Sequence, residues 1–134
     1  MKEIAVLGSG IMGKGIIQAL IAAGILKIKV YDYFKKHPDF LASSKKELYD
    51  NLAKAKNTDG KFIFRSKKAL RDAFERISWL NITFDDDLAL LKSCDAVIEA
   101  LKEDLMEKKL RYRDVEKFLP KGAPIFTNTS TMRI

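Results

Sequence analysis

Cysteine and histidine are nearly missing: the 134 residues hold one of each, Cys94 and His37. A single cysteine excludes an internal disulfide and any cysteine-based metal cluster, and it suits a reducing, cytoplasmic setting. A single histidine, set beside Pro38, supports no Ser-His-Asp triad and reads as an exposed loop residue rather than a base. No metal site is expected. No apolar run approaches the roughly 20 residues of a membrane-spanning helix. Met1-Lys2-Glu3 leads into a strand at once, which leaves no room for a signal peptide. Zinc-ligand spacings, RNA-binding signatures and aromatic-rich basic strips are also missing, so neither nucleic acid nor a membrane is an expected partner. No repeat, low-complexity tract or linker divides the chain, and its length fits one domain spanning residues 1–134.

Hydrophobic residues make up 47% and charged residues 32%, the balance of a globular protein that can bury a core. The net charge of +7 is unevenly spread. From Lys35 to Arg76 there are twelve Lys or Arg against six Asp or Glu, so this segment alone carries +6. That excess is either a solvated helical surface or a surface for a polyanionic ligand.

The most telling stretch is Glu3-Ile-Ala-Val-Leu-Gly8-Ser9-Gly10-Ile11-Met12-Gly13. A short apolar strand runs into G-x-G-x-x-G, and an apolar helical segment follows, the context that marks a dinucleotide-binding turn. Gly8 permits the tight turn, Gly10 lets the backbone approach a pyrophosphate, and Gly13 lets the helix pack on the strand. The helix would direct its free N–H groups and positive dipole end at the phosphates. Asp32 lies 19 residues beyond Gly13. There it would accept hydrogen bonds from the adenosine ribose and repel a 2′-phosphate, favouring NAD over NADP. A strand-end turn aspartate is the alternative.

The pattern predicts strands at Ile4–Leu7, Ile28–Tyr31, Ile82–Phe84, Ala96–Glu99 and Ile125–Thr127. A helix is expected over Ile11 to Ala23, with Met12, Ile16, Leu20 and Ala23 on its buried face and Gly24 as its C-terminal cap. Two further helices, Pro38 to about Lys56 and Ser66 to Arg76, form a helical hairpin over about residues 38–78, joined through an Asn57–Gly60 turn. A short helix is expected over Asp86–Lys92, and Asp104 with Glu107 resembles a capping box opening a helix through Phe118. The implied fold is α/β, a Rossmann-type doubly wound parallel sheet with an inserted helical hairpin. In such sheets ligands bind beyond the carboxyl ends of the strands. Gly8–Gly13, Asp32, Glu99–Glu103 and Asn128–Thr131 all fall at that one edge.

Two more features there bear on chemistry. Lys108 sits in the first turns of a helix, where the dipole disfavours a cation; it is either a ligand contact near Glu103 or a solvated lysine beside Lys109. Asn128-Thr129-Ser130-Thr131 follows a buried strand, either as a cluster of ligand-binding side chains or as turn and cap residues.

At these residues the chain resembles the L-3-hydroxyacyl-CoA dehydrogenases, in their N-terminal NAD-binding domain, and the matching domain of the fatty-acid oxidation multienzymes. The resemblance rests on IAVLGSGIMGKGI, on Asp32 at a strand end, on DAVIEALKEDLMEKK from Asp95 to Lys109, and on PIFTNTST from Pro124 to Thr131. It implies that Gly8, Ser9, Gly10, Ile11, Met12 and Gly13 hold the NAD pyrophosphate and that Asp32 holds the ribose. Ala100, Glu103 and Lys108 would line the nicotinamide half. Asn128 would stand beside the reacting carbon, and Ser130 would hydrogen-bond the 3-oxygen of an acyl-CoA substrate. The hairpin would face CoA, although family CoA contacts do not map onto Asn51, Lys54 or Lys61. Two departures stand out: Lys14 replaces a small residue between two glycines, and Thr131 stands where serine or alanine is common.

The resemblance also implies a histidine base held by a glutamate, a last strand and a helical dimerisation domain, all beyond the N-T-S motif. The sequence stops at Ile134, before any of them. The expectation is therefore an NAD-binding domain that is inactive alone, from an enzyme that is a homodimer when complete. A free-standing, non-catalytic NAD-binding module is the alternative, and a related β-hydroxyacid dehydrogenase is a further one.

Overall fold

The computed structural model describes residues 2–101 and 113–127. Five strands form one sheet: β1 (Glu3–Leu7), β2 (Lys27–Asp32), β3 (Ile77–Asn81), β4 (Ala96–Glu99) and β5 (Ile125–Thr127). Their spatial order is β3-β2-β1-β4-β5, and every neighbouring pair is parallel. Between them lie helices α1 (Ile11–Ala22), α2 (Pro38–Lys54), α3 (Lys67–Glu75) and α4 (Asp85–Leu88), with a 3₁₀ turn over Ala89–Ser93. Residues 113–118 are helical before β5. The chain winds outward from β1 in both directions, a Rossmann-type doubly wound sheet.

Both faces of the sheet are covered, because side chains alternate along each strand. Val6, Ile28 and Val30 join Ile17 and Ile21 of α1, Leu48 and Leu52 of α2, and Leu70 and Ala73 of α3. On the other face Ala5, Leu7, Tyr31 and Val97 meet Leu88, Leu91, Cys94 and Val115. Each fully buried leucine or isoleucine here contributes roughly 1.5–3 kcal/mol. The two helices of the insertion share the first of these cores, and Tyr49 and Phe74 meet edge to face at 5.5 Å.

Helix α1 meets the sheet on a face that only partly matches its apolar spacing: Ile16 and Leu20 pack half-buried against the core, but the centre of the contact lies elsewhere. Gly13, Lys14, Ile17 and Ile21 are buried, whereas Met12 is 54% exposed and Ala23 is exposed. Gly13 abuts the Gly8 carbonyl, and a Cβ there would overlap it. Once residue 13 faces inward, residues 17 and 21 follow on the same face. The helix ends as expected at Gly24, whose φ is +83°. The Gly24 N–H donates to the Ile21 carbonyl and the Ile25 N–H to that of Leu20, the double bond of a Schellman end.

The third strand also lies elsewhere than expected, at Ile77–Asn81 instead of Ile82–Phe84. Helix α3 is capped by the Ser66 hydroxyl, which accepts from the Ala69 N–H, and it stops at Glu75, so the chain enters β3 within two residues. Ile77 to Asn81 then pair with Ile28 to Asp32. The buried Ile82 donates its N–H to the Asp32 carbonyl just past the ladder. The helix expected over Asp86–Lys92 divides into α4 and the 3₁₀ turn. Asp104 and Glu107 lie outside the described residues.

Ser44, fully buried in α2, has no hydrogen-bond partner for its hydroxyl among the described residues. Ser44→Ala is therefore expected to raise the unfolding free energy by about 1–2 kcal/mol, through relief of that unmet hydroxyl and better helix propensity. A urea or thermal melt reads the change directly. A lowered midpoint would show that the hydroxyl is satisfied in the folded protein.

Candidate functional site

The carboxyl edge of the sheet is assembled by glycine. At the end of β1 the chain turns at Gly8, where φ is +103° and the N–H donates to the Tyr31 carbonyl at 2.7 Å. A Cβ on residue 8 would stand 2.6 Å from the carbonyl oxygen of Ala100, which follows β4. Ala100 in turn donates its N–H to the Leu7 carbonyl at 2.7 Å. The turn is thus wedged between β1 and the exit of β4. Gly13 closes it from the helix side by its contact with the Gly8 carbonyl.

Gly10 is different in kind. It is the N-cap of α1, its φ of −70° is open to any residue, and among the described residues nothing lies within 4 Å of where a Cβ would be. No atom of the described residues therefore requires glycine there, which is the pattern of a residue kept bare for something that approaches from outside. No acidic side chain stands in the first turn of α1. Ile11 is 91% exposed and Met12 54%, so apolar surface flanks the same opening.

Asp32 ends β2 beside this loop and is nearly buried. Its Oδ2 accepts from the Ser9 N–H at 2.8 Å and from the Ser9 hydroxyl at 2.9 Å, and its Oδ1 accepts from the Tyr33 N–H at 2.8 Å. Three donors hold the carboxylate at the loop. Gly8, Ser9, Gly10, Ile11, Met12, Gly13, Asp32 and Ala100 are thereby gathered at one edge. Glu103, Lys108, Asn128 and Ser130 lie outside the described residues.

The spacing of motifs does not reveal three other features. Glu99, fully buried at the end of β4, accepts from the Leu101 N–H and from the Thr127 hydroxyl, both at 2.8 Å. It ties β4 to β5 at the edge where the site opens. Lys14 is buried beneath the glycine loop, and its ammonium donates to the Ser9 carbonyl at 3.1 Å. A lysine between two glycines in the first turn of a helix was the available signal for it. Ser9 is expected from the resemblance at the pyrophosphate, yet its hydroxyl is spent on Asp32.

Other reactive groups are elsewhere. His37 is exposed and precedes α2, on the side of the sheet edge that follows β2. Cys94 is buried, and burial pushes its thiol up to about 11, so it is no nucleophile at neutral pH. Among the described residues no three His, Cys, Asp or Glu side chains are grouped to hold a metal.

Comparison with known proteins agrees with this geometry. The family model described as the NAD-binding domain of 3-hydroxyacyl-CoA dehydrogenase matches residues 3–134. The chain is 30% identical over its full length to the mitochondrial hydroxyacyl-coenzyme A dehydrogenase of Homo sapiens, of which it spans 40%. A diketoreductase structure superposes with a TM-score of 0.73 at 28% identity, over 98% of this chain and 43% of that one. The (S)-3-hydroxybutyryl-CoA dehydrogenase of Ralstonia eutropha superposes at 0.72 and 24% identity, over all of this chain and 43% of that one. That last likeness shows the fold.

The contrast between Gly10 and Gly13 gives a sharp test. Gly13→Ala is expected to cost roughly 1–3 kcal/mol of stability, because rigid backbone must move. Gly10→Ala should leave the melting temperature unchanged yet weaken NAD at least tenfold in a calorimetric titration. Unchanged NAD affinity in Gly10→Ala would mean that the cofactor does not approach there.

Proposed function

The chain belongs to the 3-hydroxyacyl-CoA dehydrogenase NAD-binding domain family, and from that membership we propose that it is the cofactor-binding part of an enzyme oxidising (3S)-3-hydroxyacyl-CoA to 3-oxoacyl-CoA. NAD is the cofactor, and when bound it supplies the acceptor for the hydride leaving C3 of the substrate. The observation that carries the reading is the bare approach at Gly10 beside the oriented Asp32 carboxylate, both at the carboxyl edge of a parallel sheet.

Each residue singled out by the motifs then has a task. Gly10 and the N-terminus of α1 receive the pyrophosphate, where backbone N–H groups and the helix dipole favour negative charge. Asp32 receives the adenosine ribose. Ile11 and Met12 give apolar surface along the cofactor, and Ala100, Glu103 and Lys108 line its nicotinamide half. Family membership would put Asn128 beside the reacting carbon and Ser130 within reach of the 3-oxygen, holding the carbinol for hydride departure. The +6 segment from Lys35 to Arg76 attracts the phosphates of the acyl-CoA. The complete enzyme works as a homodimer in fatty-acid metabolism. A reducing cytoplasm suits a chain whose one cysteine is buried and unpaired.

Selectivity for NAD follows from Asp32, whose carboxylate would repel a 2′-phosphate. Charge-assisted hydrogen bonds contribute about 1.5–3 kcal/mol, so Asp32→Ala should weaken NAD roughly 10- to 100-fold. Titrating both cofactors into the unaltered protein decides the matter, since equal affinity for NADP would sink this placement of Asp32.

The hydroxyl proton of the substrate needs an acceptor, and His37 is in the wrong place to be one. It belongs to the segment between β2 and α2, whereas β5, the strand that precedes the N-T-S motif in the chain, stands three places from β2 in the sheet order. Without a general base, rates fall by about 10²–10⁴. The 134-residue polypeptide is therefore expected to bind NAD and to turn over 3-hydroxybutyryl-CoA negligibly. Near-normal turnover, followed at the NADH absorbance band, would show that a base is present within it.

A further inference from the structure

Lys14 goes against two rules at once. It lies in the first turn of α1, where the helix dipole disfavours a cation. Its side chain is also only 9% exposed, although lysine is almost never buried without a partner. Both penalties are offset by contacts that lead in two directions. The ammonium donates to the Ser9 carbonyl at 3.1 Å and pairs with Glu47 Oε2 of α2 at 3.0 Å. It also stands 5.9 Å from the ring centre of Phe40, again in α2.

Ser9 continues the line. Held by Lys14 at its carbonyl, it directs both its N–H and its hydroxyl at Asp32 Oδ2. An unbroken series of polar contacts thus runs from Glu47, which is 61% exposed on the inserted hairpin, through Lys14 and Ser9 to the Asp32 carboxylate. A small residue at position 14 would leave Ser9 without that hold and Glu47 without its ion pair.

We propose that Lys14 is a positioning residue for the adenosine end of NAD: pinned by Glu47, it fixes Ser9 and through Ser9 the carboxylate that receives the ribose. Ribose recognition is then set partly from helix α2, across the boundary between the sheet and the inserted hairpin. This inference rests on the reading that Asp32 faces the ribose.

A double-mutant cycle separates the two. NAD and NADP dissociation constants are measured for Lys14→Met, Lys14→Arg and Glu47→Ala, each alone and combined with Asp32→Asn, with melting temperatures alongside. Lys14→Met should weaken NAD about tenfold, the worth of one ordinary hydrogen bond, and narrow the preference over NADP. In the Asp32→Asn background it should add nothing, because its route to the cofactor is already cut. Lys14→Arg should recover most of the affinity. Glu47→Ala, at an exposed position that tolerates truncation, should shift both constants in the same direction by a smaller factor. If Asp32→Asn alone leaves the NAD preference intact, the ribose reading fails. If Asp32→Asn acts but Lys14→Met is silent or simply additive, the ribose reading stands and this proposal is overturned. Should Lys14→Met not fold, Glu47→Ala carries the test, and unchanged NAD affinity in it overturns the proposal.

Discussion

Helix α1 can rest against the end of β1 only because residue 13 has no side chain, and most of the site descends from that contact. The Gly8 carbonyl occupies the space a Cβ would need. With Gly13 turned inward, Ile17 and Ile21 enter the core one and two turns later, and the helix axis is fixed over the sheet. The first turn of α1 is then left at the carboxyl edge, where Gly10 offers open backbone. The same rotation puts Lys14 under the loop facing α2 rather than in solvent. A helix rotated by one residue to bury Met12 and Ile16 would lose the loop geometry and the Lys14–Glu47 pair together.

The two ends of the sheet treat charge differently among the described residues. At the amino end, Lys29 reaches Glu3, the Leu90 carbonyl and the Ser93 hydroxyl. The Ser93 hydroxyl, foremost, with Lys29, holds the Glu3 carboxyl below its usual range. Asp95 is likewise held low by the backbone N–H groups of Glu3 and then Lys2. Those groups satisfy one another and pin the first strand to its neighbours. At the carboxyl edge, by contrast, Asp32 is aimed by backbone and serine donors, and no cation among the described residues neutralises it. A carboxylate oriented by neutral donors keeps its charge available for a ligand.

Much of this was legible because glycine and strand-end acids carry meaning one residue at a time. Gly8, Gly10, Gly13 and Asp32 are identified by spacing, and four of the five strands by short apolar runs between turns. The rest depended on contacts that spacing does not encode. The rotation of α1 follows from a helix-to-loop contact, and an apolar stripe of Met12, Ile16, Leu20 and Ala23 was an equally regular pattern. Strand β3 hides in Ile77-Ser-Trp-Leu-Asn81, since an edge strand mixes exposed and half-buried positions and starts within two residues of a helix end. Ile82 drew the strand boundary late because it is buried and β-branched, yet it lies just past the ladder.

Lys14 shows how a residue can depart from a pattern and still depend on it. Its long side chain folds back under the loop, where the Ser9 carbonyl and Glu47 replace lost water. Glu47 is 61% exposed, and an ion pair with one partner in solvent adds little net stability. A pair retained here is therefore better explained by geometry than by energy. Its ends stand on α1 and α2, so it fixes how the inserted hairpin meets the nucleotide loop. The inserted hairpin and the carboxylate at the end of β2 are thereby joined by one series of polar contacts, from Glu47 through Lys14 and Ser9 to Asp32.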